Sequence, residues 1–271
     1  MKNYGLISII TPSYNTAGFI AETIDSVIAQ TYENWEMIIV DDCSTDDTDT
    51  VVAAYVALDS RIHYIKNEEN SGAALTRNRA LREARGRWVA FLDSDDLWHP
   101  EKLERQIVFM QTNNYAFTYH EYIEIDEQNK ELGVYVSGKK HVGCFGMFAC
   151  CWPGCLSVMY DVEKIGLIQI GDVKKNNDTA MWLKVIHKAD CHLMKECLAR
   201  YRRRANSITP KPLWKRVWAH YPLFRVAEGM SPVSSTFWVL VNIVGNAYKK
   251  MFYVKRYSSS DKCIDRSPMS S

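Results

Sequence analysis

What is missing from this 271-residue chain narrows its function first. It holds no Gly-x-Gly-x-x-Gly and no Gly-Lys-Ser/Thr, so neither the dinucleotide-binding turn nor the ordinary ATP-binding phosphate loop is available. Its 8 cysteines include no Cys-x-x-Cys element, which argues against a structural zinc. Cys150, Cys151 and Cys155 cluster, but in an apolar stretch that suits buried thiols. No apolar run suffices for a membrane span: Thr236–Val244 falls far short of the about 20 residues needed. The chain enters a strand pattern at once, without a secretory leader, so free thiols in a reducing cytoplasm are expected.

Acidic residues are also scarce in one region. The formal net charge is only +1, yet Lys195–Arg256 carries 13 Lys or Arg against Glu196 and Glu228 alone. That segment is net +11 and the remainder net −10, so the C-terminal part is expected to meet something anionic.

What is present begins with a repeating order. Leu6–Thr11 is a short apolar run stopped by Pro12, as in a buried parallel strand, and Asn15 is placed to cap a helix through Ile20, Ile24, Val27 and Ile28. Trp35–Val40 and Arg61–Lys66 are the next strands, with a helix over 46–58 between them. A third helix over 71–85 leads to a fourth strand, Trp88–Leu92, and Pro100 opens a helix running to about Met110. This β-α-β-α-β-α-β order predicts a parallel sheet with right-handed crossovers, whose ligands bind at the strands' carboxyl ends. Beyond Met110 the pattern predicts an antiparallel strand over 115–125, a hairpin return over 132–136, a strand over 156–160 and a helix after Asn177-Asp178.

Those carboxyl ends carry Pro12-Ser13-Tyr14-Asn15, Asp41-Asp42 and Asp93-Ser94-Asp95-Asp96. Side chains alternate along the fourth strand, so Asp93 and Asp95 are expected to point the same way where it runs out and to repel, a conflict that Mg²⁺ or Mn²⁺ would remove. An acidic turn or a helix N-terminus is the plainer alternative. A nucleoside diphosphate would need a base platform, which Tyr14 can provide, and an acceptor for an imide N–H such as uracil's, which Asp41 or Asp42 can provide. Asp93 suits the ribose or the metal, Asp95 the metal directly, and Arg77 a phosphate or the donor sugar. Tyr14 as partial core and Arg77 as a surface charge are the corresponding structural alternatives.

Taken together, Ser8–Asn15, Ile39–Asp46, Asn70-x-Gly72, Arg77-Asn78 and Phe91–Asp96 resemble the family 2 glycosyltransferases, in order and spacing, across roughly the first 110 residues. The resemblance implies a GT-A fold, a mixed α/β sheet with helices on both faces, and a nucleotide-sugar donor bound with Mg²⁺ or Mn²⁺. Pro12, Tyr14, Asp41, Asp42, Arg77, Asp93, Ser94 and Asp95 would then bind the donor. The resemblance also implies inversion by single displacement, which needs a general base. Asp178 in Asn177-Asp178-Thr179-Ala180-Met181-Trp182 matches the family's base, with Asn177 replacing the usual acid; Asp161 and Asp172 are the fallbacks. Asp96 is left between an acceptor contact and a helix cap. Tyr201–Ser207 resembles a loop that closes over the diphosphate, making Arg202, Arg203 and Arg204 candidates.

The expected organisation is a catalytic domain over 1–210, divided into a nucleotide-sugar half (1–110) and an acceptor half (111–210). A helical basic and aromatic arm occupies 211–257, and a disordered tail 258–271. The arm interleaves Trp214, Trp218, Phe237, Trp238 and Tyr248 with Lys215, Arg216, Lys249 and Lys250, which suits an anionic membrane surface, a partner or the domain itself. The expectation is an inverting enzyme passing a sugar from a UDP-sugar or similar donor to a glycan or lipid-linked hydroxyl of a bacterial surface polysaccharide. It would sit at the inner face of the cell membrane. A nucleotidyltransferase or a non-catalytic nucleotide-sugar binder is the competing reading.

Overall fold

The structure is a computed structural model that describes residues 2–171, 173, 176–204 and 220–257. Four strands, β1 (Ile7–Ser13), β2 (Trp35–Asp41), β3 (Ile62–Lys66) and β4 (Trp88–Phe91), pair in parallel. Ile10 lies opposite both Ile38 and Phe91, so the strands end side by side. They are joined by α1 (Ile20–Ile28), α2 (Thr48–Leu58) and α3 (Ala73–Glu83), with α4 (Lys102–Asn113) beyond β4.

Both sheet faces are buried, which explains why the strands are continuous apolar runs. Ile7, Ile9, Met37 and Ile39 pack with Ile20, Ile24, Leu103 and Ile107 of α1 and α4. Ile10, Ile38, Val40 and Phe91 pack on the opposite face with Leu81 of α3 and with Trp182. Asn15 does not cap α1. It takes φ +50°, its side chain accepts from Thr45 N–H at 2.8 Å, and α1 starts at Ile20 with no side-chain cap.

The second half extends the same sheet. β6 (Phe117–Ile125) and β7 (Glu131–Val136) form the expected antiparallel hairpin. β9 (Met159–Asp161) lies antiparallel between β4 and β6. The long β10 (Cys191–Arg202), which the sequence pattern does not predict, runs parallel to β6 and pairs antiparallel with the two-residue strands β5 (Leu97–Trp98) and β8 (His141–Val142). It carries Tyr201 and Arg202, which were expected in a loop. Its register shifts twice, between Met194 and Cys197 and between Cys197 and Arg200, and such irregularities erase the alternation that would reveal a strand. Ala205, Asn206 and Ser207 of that expected loop, Trp214 and Trp218 of the arm, and the 258–271 tail lie outside the described residues.

α5 (Cys144–Ala149) and the short α6 (Val162–Ile165) precede α7 (Asn177–Ile186), whose Trp182 meets Phe91 edge-on at 5.0 Å and Phe117 at 6.0 Å. The described part of the arm folds back on the sheet. α8 (Pro232–Phe252) starts at a Ser231 cap with Pro232 in its first turn and packs on α5, and β11 (Val254–Arg256) adds to β7. Gly245 makes the packing possible, because a Cβ there would collide with the Ala149 carbonyl. Among the described residues no helix is long and apolar enough to cross a membrane.

Since Trp182 fastens α7 to β4 and β6, Trp182→Ala should cost about 3–5 kcal/mol. Urea unfolding measures this; an unchanged midpoint would contradict the packing described.

Candidate active site

The β1 and β2 ends are built around two buried carboxylates. Asp41 accepts from Ser44 N–H at 3.2 Å and Tyr64 O–H at 3.0 Å, and the Ser44 hydroxyl also bonds it. Asp42 accepts from the Asn67 side-chain amide (2.9 Å) and from the N–H groups of Ser71 and Gly72 (2.8 Å each). These bonds pin the 67–72 loop, and Gly72 enters α3 at φ +83°, a conformation that favours glycine. Both carboxylates therefore sit where the sequence placed them, with most of their bonding capacity used by the protein. Above them Pro12 is half-buried, while Tyr14 is 48 % exposed, leaving its ring free to stack.

β4 stops at Phe91, so strand alternation does not reach Asp93 and Asp95. The chain turns instead, Asp96 N–H donating to Asp93 O at 3.1 Å, and the two carboxylates find different partners. Asp93 takes Arg77 Nη2 at 2.8 Å, and Asp95 takes Arg204 Nη1 at 3.3 Å. Ser94 is buried in the turn. Asp96 has no exposed surface: Oδ1 accepts from Arg202 N–H at 2.8 Å, and Oδ2 has no partner among the described residues. It neither caps α4, whose first flanking residue is Glu101, nor faces outward toward an acceptor.

Arg77 connects this turn to α7. Its side chain is buried, with Nη2 on Asp93 and Nη1 on the side-chain carbonyl oxygen of Asn177. Burial opposes its charge, but the Asp93 and Asp178 carboxylates around it hold the guanidinium above the ordinary arginine range. Asp178 comes next in the first turn of α7 and accepts from its neighbour Thr179 N–H at 2.7 Å. Cys155, which no sequence motif singles out, lies beneath the group: its sulfur is 3.9 Å from Asp93, and burial, then the Asp93 charge, keeps the thiol protonated. The sequence marks it only as one of a cluster of buried thiols, not as a neighbour of Asp93. Tyr64 likewise escapes the sequence motifs, although the β2–β3 register places it opposite Ile39, two residues before Asp41.

Among the fallback bases, Asp161 is fully buried, paired with Arg87 at 3.1 Å and opposite Trp88 at the other end of β4. That position rules it out as the base; Asp172 lies outside the described residues. The three arginines also separate. Arg202 is buried on Glu22 (2.7 Å) and the Asp95 carbonyl (2.7 Å), and Arg203 is paired with Glu124 at 2.8 Å. Arg204 alone of the three reaches the Asp95 carboxylate.

The turn's electrostatics suit a hard cation. Burial and then the Asp93 charge raise the Asp95 pKa, with Arg204 only partly offsetting them. Burial, then Asp95 and Asp93, raise Asp96 well above the usual carboxylate range. Asp93 and Asp95 repel each other across the turn, and Oδ2 of Asp96 is left without a partner among the described residues. No group of three or more His, Cys, Asp or Glu among the described residues could hold an ion by itself. Two carboxylates completed by diphosphate and water fit Mg²⁺ or Mn²⁺.

Comparisons with known proteins agree with this geometry. The family model described as "Glycosyl transferase family 2" matches residues 8–143. The putative teichuronic acid biosynthesis glycosyltransferase TuaG of Bacillus subtilis is 41% identical over 246 residues, covering 90% of this chain and 97% of that protein. The UDP-Glc:alpha-D-GlcNAc-diphosphoundecaprenol beta-1,3-glucosyltransferase WfgD of Escherichia coli is 42% identical over 186 residues, 69% of this chain and 71% of that one. The fold matches the mannosyltransferase PcManGT of Pyrobaculum calidifontis, solved with GDP-Man and Mn²⁺. There the TM-score is 0.63 at 18% identity, over 92% of this chain and 76% of that one.

Because Asp42 alone ties the backbone of Ser71 and Gly72 to β2, Asp42→Ala should speed hydrogen exchange at those two amides by about tenfold or more. Unchanged exchange would show that the loop does not depend on this carboxylate.

Proposed function

The chain belongs to glycosyl transferase family 2, and on that basis we propose that it moves a sugar from a UDP-sugar, or a similar nucleotide-sugar, to a hydroxyl of a lipid-linked glycan in bacterial surface-polysaccharide synthesis. The observation that carries the reading is the reach of Arg77 from Asp93 on the donor side to Asn177 beside Asp178. The names of the two relatives, one a UDP-glucose enzyme with a diphosphoundecaprenol-linked acceptor and the other assigned to teichuronic acid, support the donor and acceptor classes. The absence of a crossing helix among the described residues, with a basic C-terminal part, suits a peripheral place at the inner face of the cell membrane.

In this mechanism Tyr14 stacks on the base, and a free lone pair of Asp41 or Asp42 takes the imide N–H. Pro12 and Ser94 shape the donor pocket. Asp95, with Asp93, would hold Mg²⁺ or Mn²⁺, whose charge when bound neutralises the diphosphate and favours its departure. Arg204 adds positive charge on the same side, whereas Arg202 and Arg203 act structurally through Glu22 and Glu124. Asp96 braces β10 by holding Arg202 N–H.

Asp178 accepts the proton of the acceptor hydroxyl as that oxygen attacks the anomeric carbon. The bond to the diphosphate oxygen breaks in the same displacement, so an α-linked donor yields a β-linked product. Asn177 adds no second charge beside Asp178; its side-chain oxygen is spent on Arg77, which fixes where α7 starts relative to the donor.

Asp178→Asn should lower kcat by about 10²–10⁴-fold while leaving UDP affinity unchanged. Asp95→Ala should also abolish transfer, and in addition should remove the gain in UDP affinity that Mn²⁺ gives wild type. Transfer assays and calorimetry with and without Mn²⁺ separate the two roles. Wild-type transfer by Asp178→Asn would refute the base, and equal Mn²⁺-dependent UDP binding by Asp95→Ala would refute the metal assignment.

A further inference from the structure

α8 has two apolar faces, and among the described residues only one is packed against the domain. Val239, Ser235 and Asn242 face the domain, Asn242 donating to Phe148 O at 3.1 Å. On the other side Val233, Phe237, Leu240, Val244, Tyr248 and Met251 succeed one another at spacings of four, three, four, four and three residues. That rhythm lines them along a single stripe of the helix. They are between 43 and 81 % exposed, and Phe252 and Phe145 extend the patch at its flank. Ordinary surface helices place polar side chains there, and an apolar stripe of this length on solvent marks an interaction face.

The charge around the stripe identifies the partner. From Gly229 through Tyr257 the chain has no Asp or Glu, while Lys249, Lys250, Lys255 and Arg256 gather at its C-terminal end. Lys250, Lys255 and Arg256 are exposed, as are Lys139 and Lys140 on the neighbouring turn, and Lys139 lies 5.7 Å from the centre of the Tyr248 ring. A second copy docking by the same stripe would bring these cations no acidic counterpart from it. An anionic bilayer offers both what the stripe lacks and what it presents: acyl chain for the apolar row and headgroup charge for its basic end.

We propose that the exposed stripe of α8 lies in the surface of an anionic membrane, with the helix in the membrane plane, and thereby presents the catalytic edge to an acceptor held in that membrane. This rests on the lipid-linked acceptor proposed above. The structure joins the two sites directly. Lys249 of α8 donates to the carbonyls of Cys151 (2.9 Å) and Trp152 (2.7 Å), and the Cys151 thiol lies against Thr179 and Asp178. The C-terminal end of the docked helix is thus one layer of side chains from the base.

The test uses the full chain and vesicles of phosphatidylcholine with or without about one third phosphatidylglycerol. Wild type should co-sediment with the anionic vesicles, less so as salt rises, and poorly with phosphatidylcholine alone. The double substitution Phe237→Glu with Val244→Glu should weaken binding by about tenfold or more. The pair Lys250→Glu with Lys255→Glu should remove the salt-sensitive part. All four positions are exposed, so UDP affinity should stay at the wild-type value and report an intact fold.

Asp178→Asn should bind vesicles like wild type. Loss of UDP binding with vesicle binding intact would therefore count against the donor reading and not against this one. No sedimentation of wild type, or equal sedimentation of the Phe237/Val244 variant, would overturn the proposal. So would a concentration-dependent dimer that the same two substitutions dissolve, since it would assign the stripe to a second copy.

Discussion

A guanidinium buried in the middle of the fold is the constraint on which the site depends. Arg77 leaves α3 into a region with almost no water, and a charge there is tolerable only with anionic and polar partners in good geometry. It finds Asp93 in one direction and Asn177 in the other, which fixes the turn after β4 relative to the first turn of α7. Losing Asp93 would leave the charge stranded, at a cost of about 3–5 kcal/mol. The helix carrying the candidate base and the turn carrying the candidate metal ligands are therefore tied directly to each other by one side chain.

The same edge of the sheet gathers five aspartates, and how each is satisfied divides their work. Asp41 and Asp42 are held by neutral donors, from Ser44 and Tyr64 and from the 67–72 loop, which leave each a lone pair to spare, and act as fixed points that hold the pocket's walls. Asp93 is neutralised by Arg77. Asp95 meets Arg204 at 3.3 Å, yet burial and then the Asp93 charge raise its pKa, while burial, then Asp95 and Asp93, raise that of Asp96. Carboxylate charge gathered at this turn would repel a diphosphate, and a divalent cation held there, as proposed, would offset both.

Much of the first half was legible because parallel buried strands are unbroken apolar runs, and the residues just past each strand sit at the ligand-binding edge. Asp41, Asp42 and the Asp93–Asp96 turn were located on that basis. Alternation failed only where the strand itself ended, at Phe91, so Asp93 and Asp95 found separate partners. β10 stayed hidden because its register shifts break the period, and with it went the true setting of Arg202, which looked like a loop residue and is buried in a strand. Cys155 was legible as a buried thiol, but an aperiodic stretch gives no sign of which side chains it lies beside. The arm's aromatics and cations were visible in the sequence, but their separation into a core face and a face exposed among the described residues needed the packing of α8 on α5 through Gly245.

The central claim, that Arg77 couples the donor edge to the base, is tested most directly by the transfer rate of Arg77→Lys. Lysine keeps the charge but cannot fork to Asp93 and Asn177 together. The account predicts a folded protein with transfer reduced by about 100-fold, since a small misplacement of the base is enough for such a loss. Transfer at the wild-type rate would contradict it.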